Sequence, residues 1–301
     1  MAITDEGVFI ATDDTGKNSY YWRGAVTNNY IKFANKWWRI IRINGDGTIR
    51  IIYDGTEYHA NGTSTTDSIV VASTAFNTND NDNAYVGFMY GKTGASTYEA
   101  AHANTKKSTI LQALETWYTA NLASYASKID TNAGFCNDRS INTGSTTWLS
   151  VDTKKGYGTN ATAYGAHERT LEESGMVWLR PERPTLWCKN ESDLFTVSEA
   201  KKGNKALTYP IGLITVDEAI YAGGLSGADN SSYYLFNGQD YWTLTPVGYS
   251  AFRVWSFYVT VAGSPITANG SSEFGVRPVI NLKADVTITG SGTQNNPYVV
   301  S

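Results

Sequence analysis

The chain has 301 residues, 41% of them hydrophobic, 17% charged and 13% aromatic, a balance that supports a packed core and excludes a disordered chain. A net charge of -4 supplies no basic footprint for phosphate, which argues against nucleic acid as a partner. No run of 18 apolar residues is present, and residues 1–25 lack the basic start and apolar stretch of a secretory signal, so no membrane insertion is expected.

The first 60 residues alternate short apolar runs with turns. YYWRGAV and YIKFANKWWRIIRI read as strands. Asn44-Gly45-Asp46-Gly47, set between Ile40, Ile41, Ile43 and Ile49, Ile51, Ile52, predicts a hairpin, because Asn-Gly and Asp-Gly accept the positive φ of tight turns. Residues 60–106 are dominated by Thr, Ser, Asn, Asp and Gly and read as mostly surface loop, broken by one apolar island at residues 84–91. Within it, Asn79 to Asn83 sets several oxygen ligands in a row, with Asp80 and Asp82 as candidate calcium ligands. The rest of an EF-hand loop is missing, so a solvated polar loop is expected there, and likewise at Asp13-Asp14.

A helix follows. Ser108 or Thr109 can cap it, and Ile110, Leu111, Leu114, Trp117, Tyr118 and Leu122 recur at three- and four-residue steps, giving one apolar stripe to bury against a sheet. A shorter helix is signalled by a Thr215 cap, Asp217 and Glu218 in the first turn, and Gly223-Gly224 as the stop. From Tyr233 onward the pattern returns to strands: YYLF, YWTLTP, RVWSFYVTV, GVRPVINL and NPYVV. Trp37, Trp38, Trp117 and Trp178 sit in apolar patterns that fit a core. Two helices amid many short strands, without regular βαβ alternation, predict an α+β fold: two helices packed on a small, twisted, mostly antiparallel sheet, with an elaborated N-terminal half. Composition does not shift sharply along the chain, so 1–301 is read as one domain, with strands and loops in 1–106 and the core in 107–301.

Cys136 and Cys188 are compatible with one disulfide of an exported protein or with two buried thiols in a reducing compartment. Two sulfurs and the scattered His59, His102 and His167 offer no metal-ligand pair, and no cofactor motif is present.

YWTLTP (Tyr241 to Pro246), GVRPVINL (Gly275 to Leu282) and the upstream YPIGLITVDEAIYAGG (Tyr209 to Gly224) resemble the C-terminal signature of diversity-generating retroelement variable proteins. That resemblance implies a fold similar to C-type lectins of the formylglycine-generating-enzyme subtype, and a ligand-binding display role, as in a phage receptor-binding tropism determinant. In that family a reverse transcriptase copies a template with errors at adenines, so diversified Asn codons never become Lys, Glu, Gln, Met or Trp. The window Thr243 to Ser272 contains no Lys, Glu, Gln or Met. The resemblance therefore implies a hypervariable region at 243–272, with ligand-binding positions Val247, Tyr249, Ser250, Ala251, Phe252, Arg253, Thr260, Val261, Ala262, Ser264, Ile266, Thr267 and Ala268. Trp255, which no such codon yields, is framework, as are Trp242 and the hydrogen-bond donor Arg277. Tyr249, Phe252 and Trp255 would be the aromatic anchors.

The implied partner is a protein or glycan, and the implied location is extracellular, at a cell surface or on a virion. The residue triplets of calcium-dependent lectins are absent. A carbohydrate-binding surface module with a fixed ligand is the alternative, since the chain carries 9 Trp and 20 Tyr. A formylglycine-generating-enzyme-like oxidase is the remaining alternative. It would need a reactive cysteine pair near the C-terminus, whereas Cys136 and Cys188 lie well before it, and Asp138-Arg139 reads as a structural ion pair. No enzyme is expected.

Overall fold

In a computed structural model of the chain, residues 5–142, 155–170, 184–198 and 202–301 are described. Trp178 lies outside them. The N-terminal runs form β1 (Gly7–Thr12), β2 (Asn18–Arg23), β3 (Tyr30–Phe33), β4 (Lys36–Ile43) and β5 (Ile49–Gly55). Ala34 and Asn35, at φ 52° and 57°, break YIKFANKWWRIIRI into the β3–β4 hairpin, which reads in sequence as one strand. The predicted β4–β5 hairpin forms, with the Asn44 N–H donating to Thr48 O at 2.8 Å and Gly47 taking φ 90°.

The middle of the chain adds β6 (Val71–Ala75), β7 (Met89–Tyr90), α1 (Tyr98–Ala101), β8 (Lys106–Lys107), α2 (Thr109–Asn121), β9 (Phe135–Cys136), β10 (Thr162–Ala163), α3 (Gly165–Thr170), β11 (Leu194–Phe195) and α4 (Val216–Tyr221). Helix α2 starts where the sequence places it, with Ser108 Oγ accepting from the Leu111 N–H, and it buries Ile110, Leu111, Leu114 and Tyr118. Helix α4 carries a capping box: Thr215 Oγ1 accepts from the Glu218 N–H while the Glu218 carboxylate accepts from the Thr215 N–H. The C-terminal part supplies β12 (Tyr241–Ser250), β13 (Arg253–Val259), β14 (Pro265–Asn269), β15 (Glu273–Val276), β16 (Val279–Leu282), β17 (Ile288–Thr289) and β18 (Tyr298–Val300).

These strands make two large sheets. The first has eight strands in the order β1-β2-β4-β3-β18-β17, with β5 pairing both β4 and β16. The second has six, in the order β14-β13-β12-β15-β6, with β10 on the end of β12. Both ends of the chain share the first sheet, and β6 joins the C-terminal strands in the second. The architecture is mostly β, with 34% strand and 15% helix, and this corrects the α+β expectation of two helices on one small sheet. Both helix signals are real, but α2 alone among the described helices exceeds six residues, and the aromatic and β-branched runs pair across the whole chain instead of in one local sheet.

Two further expectations are corrected. YYLF is not a strand: the Phe236 N–H turns back onto Tyr233 O, while Tyr233, Tyr234 and Leu235 are buried. Residues 60–106 are not mostly surface loop, since Phe76, Ala84, Val86, Phe88, Met89 and Ala101 are buried. Trp38 is buried in the main core, and Trp117 packs against it half-exposed.

Candidate functional site

The hairpin joining β12 to β13 is closed by the pair Ser250 and Arg253, which leaves Ala251 and Phe252 as its two turn residues. Both have positive φ, 49° and 65°. A two-residue turn between twisted strands demands this geometry, and Asn-Gly normally supplies it. A bulky side chain there carries roughly 1–2 kcal/mol of strain. Phe252 is also 80% exposed, the most exposed large apolar residue of the described chain.

Behind the tip the structure is firm. The Val254 N–H donates to Asp80 O at 2.7 Å, Ser271 Oγ donates to the Asp80 carboxylate at 2.7 Å, and Arg253 Nη1 lies 3.7 Å from the same carboxylate. Tyr249 Oη donates to Asn81 O. Asp82 caps the helical turn at Asn83–Val86 and also accepts from the Gly94 N–H at 2.7 Å. Asn83 Nδ2 donates to Gly158 O and Asn160 O. The stretch Asn79 to Asn83 buttresses the hairpin, with Asp82 and Asn83 buried, while Asn79 and Asn81 are exposed as a polar loop would have them. Among the described residues no group of three or more His, Cys, Asp or Glu is placed to hold a metal ion.

The thirteen predicted ligand positions do not converge on one patch. Ser250 to Arg253 form the tip. Val247 is buried with Ala166, Val216, Ile220 and Phe257, Tyr249 is buried with Val86, Tyr164 and Val254, and Ser264 is buried with its Oγ donating to Leu225 O. Those three cannot face a ligand, and Tyr249 is not a surface anchor. Thr260, Val261 and Ala262 turn from β13 into β14 at the far end of β13, about 20 Å from the tip at the rise of an extended strand. Val261 is 54% exposed there. Ile266, Thr267 and Ala268 lie on the edge strand β14, half-buried, with Ile266 opposite Tyr258 and Ala268 opposite Ser256.

The three framework residues differ in depth. Trp242 is fully buried, donates its indole N–H to Thr74 O at 2.8 Å, and lies beneath a Tyr258–Phe274 ring stack 4.0 Å apart. Trp255 is half-buried against the Val247–Phe257 cluster. Arg277 is fully buried; it donates to Tyr53 O, Leu235 O and the Asp54 carboxylate, the last at 2.6 Å. Pro246, which has no N–H to give, sits where the β12–β13 register shifts.

Cys136 and Cys188 are joined as a disulfide, closing the choice that the sequence left open. Asp138 and Arg139 do not pair with one another: Asp138 binds Arg169 at 2.8 Å, and Arg139 binds Asp193 at 2.7 Å with both side chains fully buried. Asp13, expected in a solvated loop, is buried, accepting from the Gly45 N–H at 2.7 Å and lying 3.5 Å from Arg42. Arg39, Arg42 and Arg50, which no motif marks in the sequence, are all buried. The available signal was the placing of isolated arginines within Ile-rich strands, where a charge needs a buried partner. Glu218 is that partner for Arg42 and Arg50.

Comparisons with protein-family models, curated proteins and solved structures gave no match. No helix among the described residues is long and apolar enough to cross a membrane.

Proposed function

We propose that this chain is a non-catalytic binding protein that presents the β12–β13 hairpin tip, Ser250 to Arg253, to a protein or glycan partner, and that a retroelement diversifies this region. The observation that carries the reading is Phe252, largely exposed on a strained backbone at the end of a hairpin whose base is buried. Strain and exposure at one residue gain nothing for folding, which makes the tip a candidate for function. Tyr, Phe, Ser and Arg are residues that binding surfaces favour, because rigid aromatics supply contact area at small entropy loss.

The resemblance of residues 209–282 to retroelement-diversified proteins supports the same surface, narrowed to its accessible positions. The loop at Thr260 to Ala262 would be a second contact only for a ligand large enough to span both ends of β13. The disulfide agrees with an extracellular, cell-surface or virion setting. The oxidase alternative draws no support from Cys136 and Cys188, which are engaged in a disulfide and precede the C-terminal strands in the chain.

The test is to sequence the DNA flanking the gene in its native genome. A near-copy of the codons for residues 240–282, differing only at adenines and lying beside a reverse-transcriptase gene, is the expected result. Absence of any such copy overturns diversification and leaves a fixed binding surface.

A further inference from the structure

A second surface feature belongs to the other large sheet. Strand β1 stands at the end of that sheet and pairs with β2 in an unbroken register, from Gly7 opposite Arg23 to Thr12 opposite Asn18. The Asp13 N–H donates to Lys17 O, and hydrogen-bonded residues alternate along an antiparallel pair. Gly7, Phe9 and Ala11 therefore bond to β2, while Val8, Ile10 and Thr12 turn their N–H and C=O groups to the open edge. Neither Val8 nor Ile10 has a partner for these groups among the described residues. Leu186 pairs with Asp13 in parallel and closes the edge there.

The side chains follow the same alternation. Val8 is 49% exposed and Ile10 57%, with Tyr20 opposite Ile10 at 44%, whereas Phe9 stacks on Tyr21 on the other face. Open edges are normally protected from other chains by a charge, a proline, a bulge or very short length. The strand GVFIAT is six residues long and has no charge, no proline and no register shift. Other sheet ends are protected: β17 has two residues, β14 opens with Pro265, and β6 pairs with a register shift. An apolar edge without these devices is fitted to be paired.

The two ends of this edge carry opposite charge. Asp5 and Glu6 are exposed just before β1. Past its other end Lys17 and Lys202 are exposed, and Lys202 Nζ donates to Asp14 O at 2.6 Å. The acids at that end are engaged, Asp13 with Arg42 and Asp14 with the Cys188 N–H. A second β1 laid antiparallel about a two-fold axis at Phe9 sets each acidic end against a basic one. It also places Val8 of each copy opposite Ile10 of the other. Parallel pairing would bring like charges together instead.

We propose that β1 is a dimerisation edge, on which a second copy of this chain pairs its own β1 antiparallel over Gly7 to Ala11, joining two eight-stranded sheets into one. Val8, Ile10 and Tyr20 of both copies form the apolar seam on one face of the joint. So short a ladder makes a small interface, and association with a Kd on the order of 10 µM is expected. The surface is independent of the hairpin tip and stands whether or not the tip is diversified. A dimer carries two tips, which strengthens binding to a partner with repeated sites.

The test is sedentation-free of any ligand: sedimentation equilibrium of the full chain from about 1 to 200 µM, a range that brackets the expected Kd. The mass should rise towards twice that of one chain. Ile10→Lys should weaken association at least tenfold with a melting temperature near that of the unmodified chain, and Phe252→Ala should leave association unchanged. Glu6→Lys should weaken it, and adding Lys17→Glu and Lys202→Glu to that variant should restore it. A chain that stays monomeric throughout, or a dimer that survives Ile10→Lys, overturns the proposal. Loss of the dimer in Phe252→Ala would move the contact to the hairpin tip and overturn it equally. Should Ile10→Lys fail to fold, hydrogen exchange of the unmodified chain decides: the Val8 and Ile10 amides should exchange more slowly at the high concentration, and equal rates sink the assignment.

Discussion

His102 follows α1 with its ring 4.4 Å from Tyr98 and 6.2 Å from Tyr164. Its Nε2 lies 2.8 Å from Gly156 O, and its Nδ1 lies 3.5 Å from Arg139 Nη1, so the neutral ring with the proton on Nε2 satisfies both neighbours. Burial, with Arg139 adding to it, pushes the imidazole pKa down from 6.5 to about 3, and burial takes His167 to about 4. The unfolded chain takes up protons below pH 6.5 that the folded chain refuses, so stability is full above that pH and is lost as pH falls towards 4. Each residue contributes on the order of 1.4 kcal/mol per pH unit in that window. Urea unfolding at pH 7, 6 and 5 should show a steady loss, and His102→Gln should flatten it; an unchanged slope in that variant would remove His102 as a cause. Arg277 is the opposite kind of residue, charged and buried. Arg277→Ala leaves Asp54 buried without its cation and should lower stability by about 3–5 kcal/mol in the same measurement. Its role as a donor was legible in the sequence, but its partners, Tyr53, Asp54 and Leu235, were not, because all three are distant in the chain.

Among the elements, the β12–β13 hairpin and α4 show two ways in which local sequence and structure relate. Helix α4 obeys its signals throughout: a Thr cap, acids in the first turn and a glycine stop after it. Its Glu218 does more than cap, since it also joins the helix to β4 and β5 through Arg42 and Arg50. The hairpin tip disobeys local preference, placing Ala251 and Phe252 where Asn and Gly belong. Replacing the pair by Asn-Gly should raise stability by about 1–2 kcal/mol, seen as a higher Tm in differential scanning calorimetry. If Tm falls instead, Phe252 packs in a way that its exposure does not indicate, and the strain argument for function is lost. The thirteen positions predicted as variable lie close together in sequence but do not form one surface. Strand β12 is buried on both faces, which takes Val247 and Tyr249 inside, and β13 carries Val261 to the far end of the sheet.

At the scale of the molecule, the disulfide closes a loop with a sequence separation of 52, joining β9 to the segment that holds Trp187. In the chain-entropy account such a link adds about 2–4 kcal/mol by restricting the unfolded chain. The double variant Cys136→Ser and Cys188→Ser should lose that amount in urea unfolding, and reduction should abolish the difference between it and the unmodified chain. A loss under 1 kcal/mol would mean that the core alone holds this segment.

The sequence by itself determined the local elements whose signals are short in range: the Asn-Gly-Asp-Gly hairpin, the Ser108-capped helix α2 with its apolar stripe, and the capping box of α4. Each rests on contacts within a few residues, where backbone preference and side-chain spacing suffice. It also marked Trp242 and Arg277 as framework. Only the tertiary structure decided that the fold is mostly β with two large sheets, because β18 pairing with β3, or β6 with β15, joins residues roughly 200 or more positions apart that no local pattern connects. The same distance in sequence hid the buttress that Asn79 to Asn83 provides for the hairpin tip, and the contact that brings Lys202 to the end of β1.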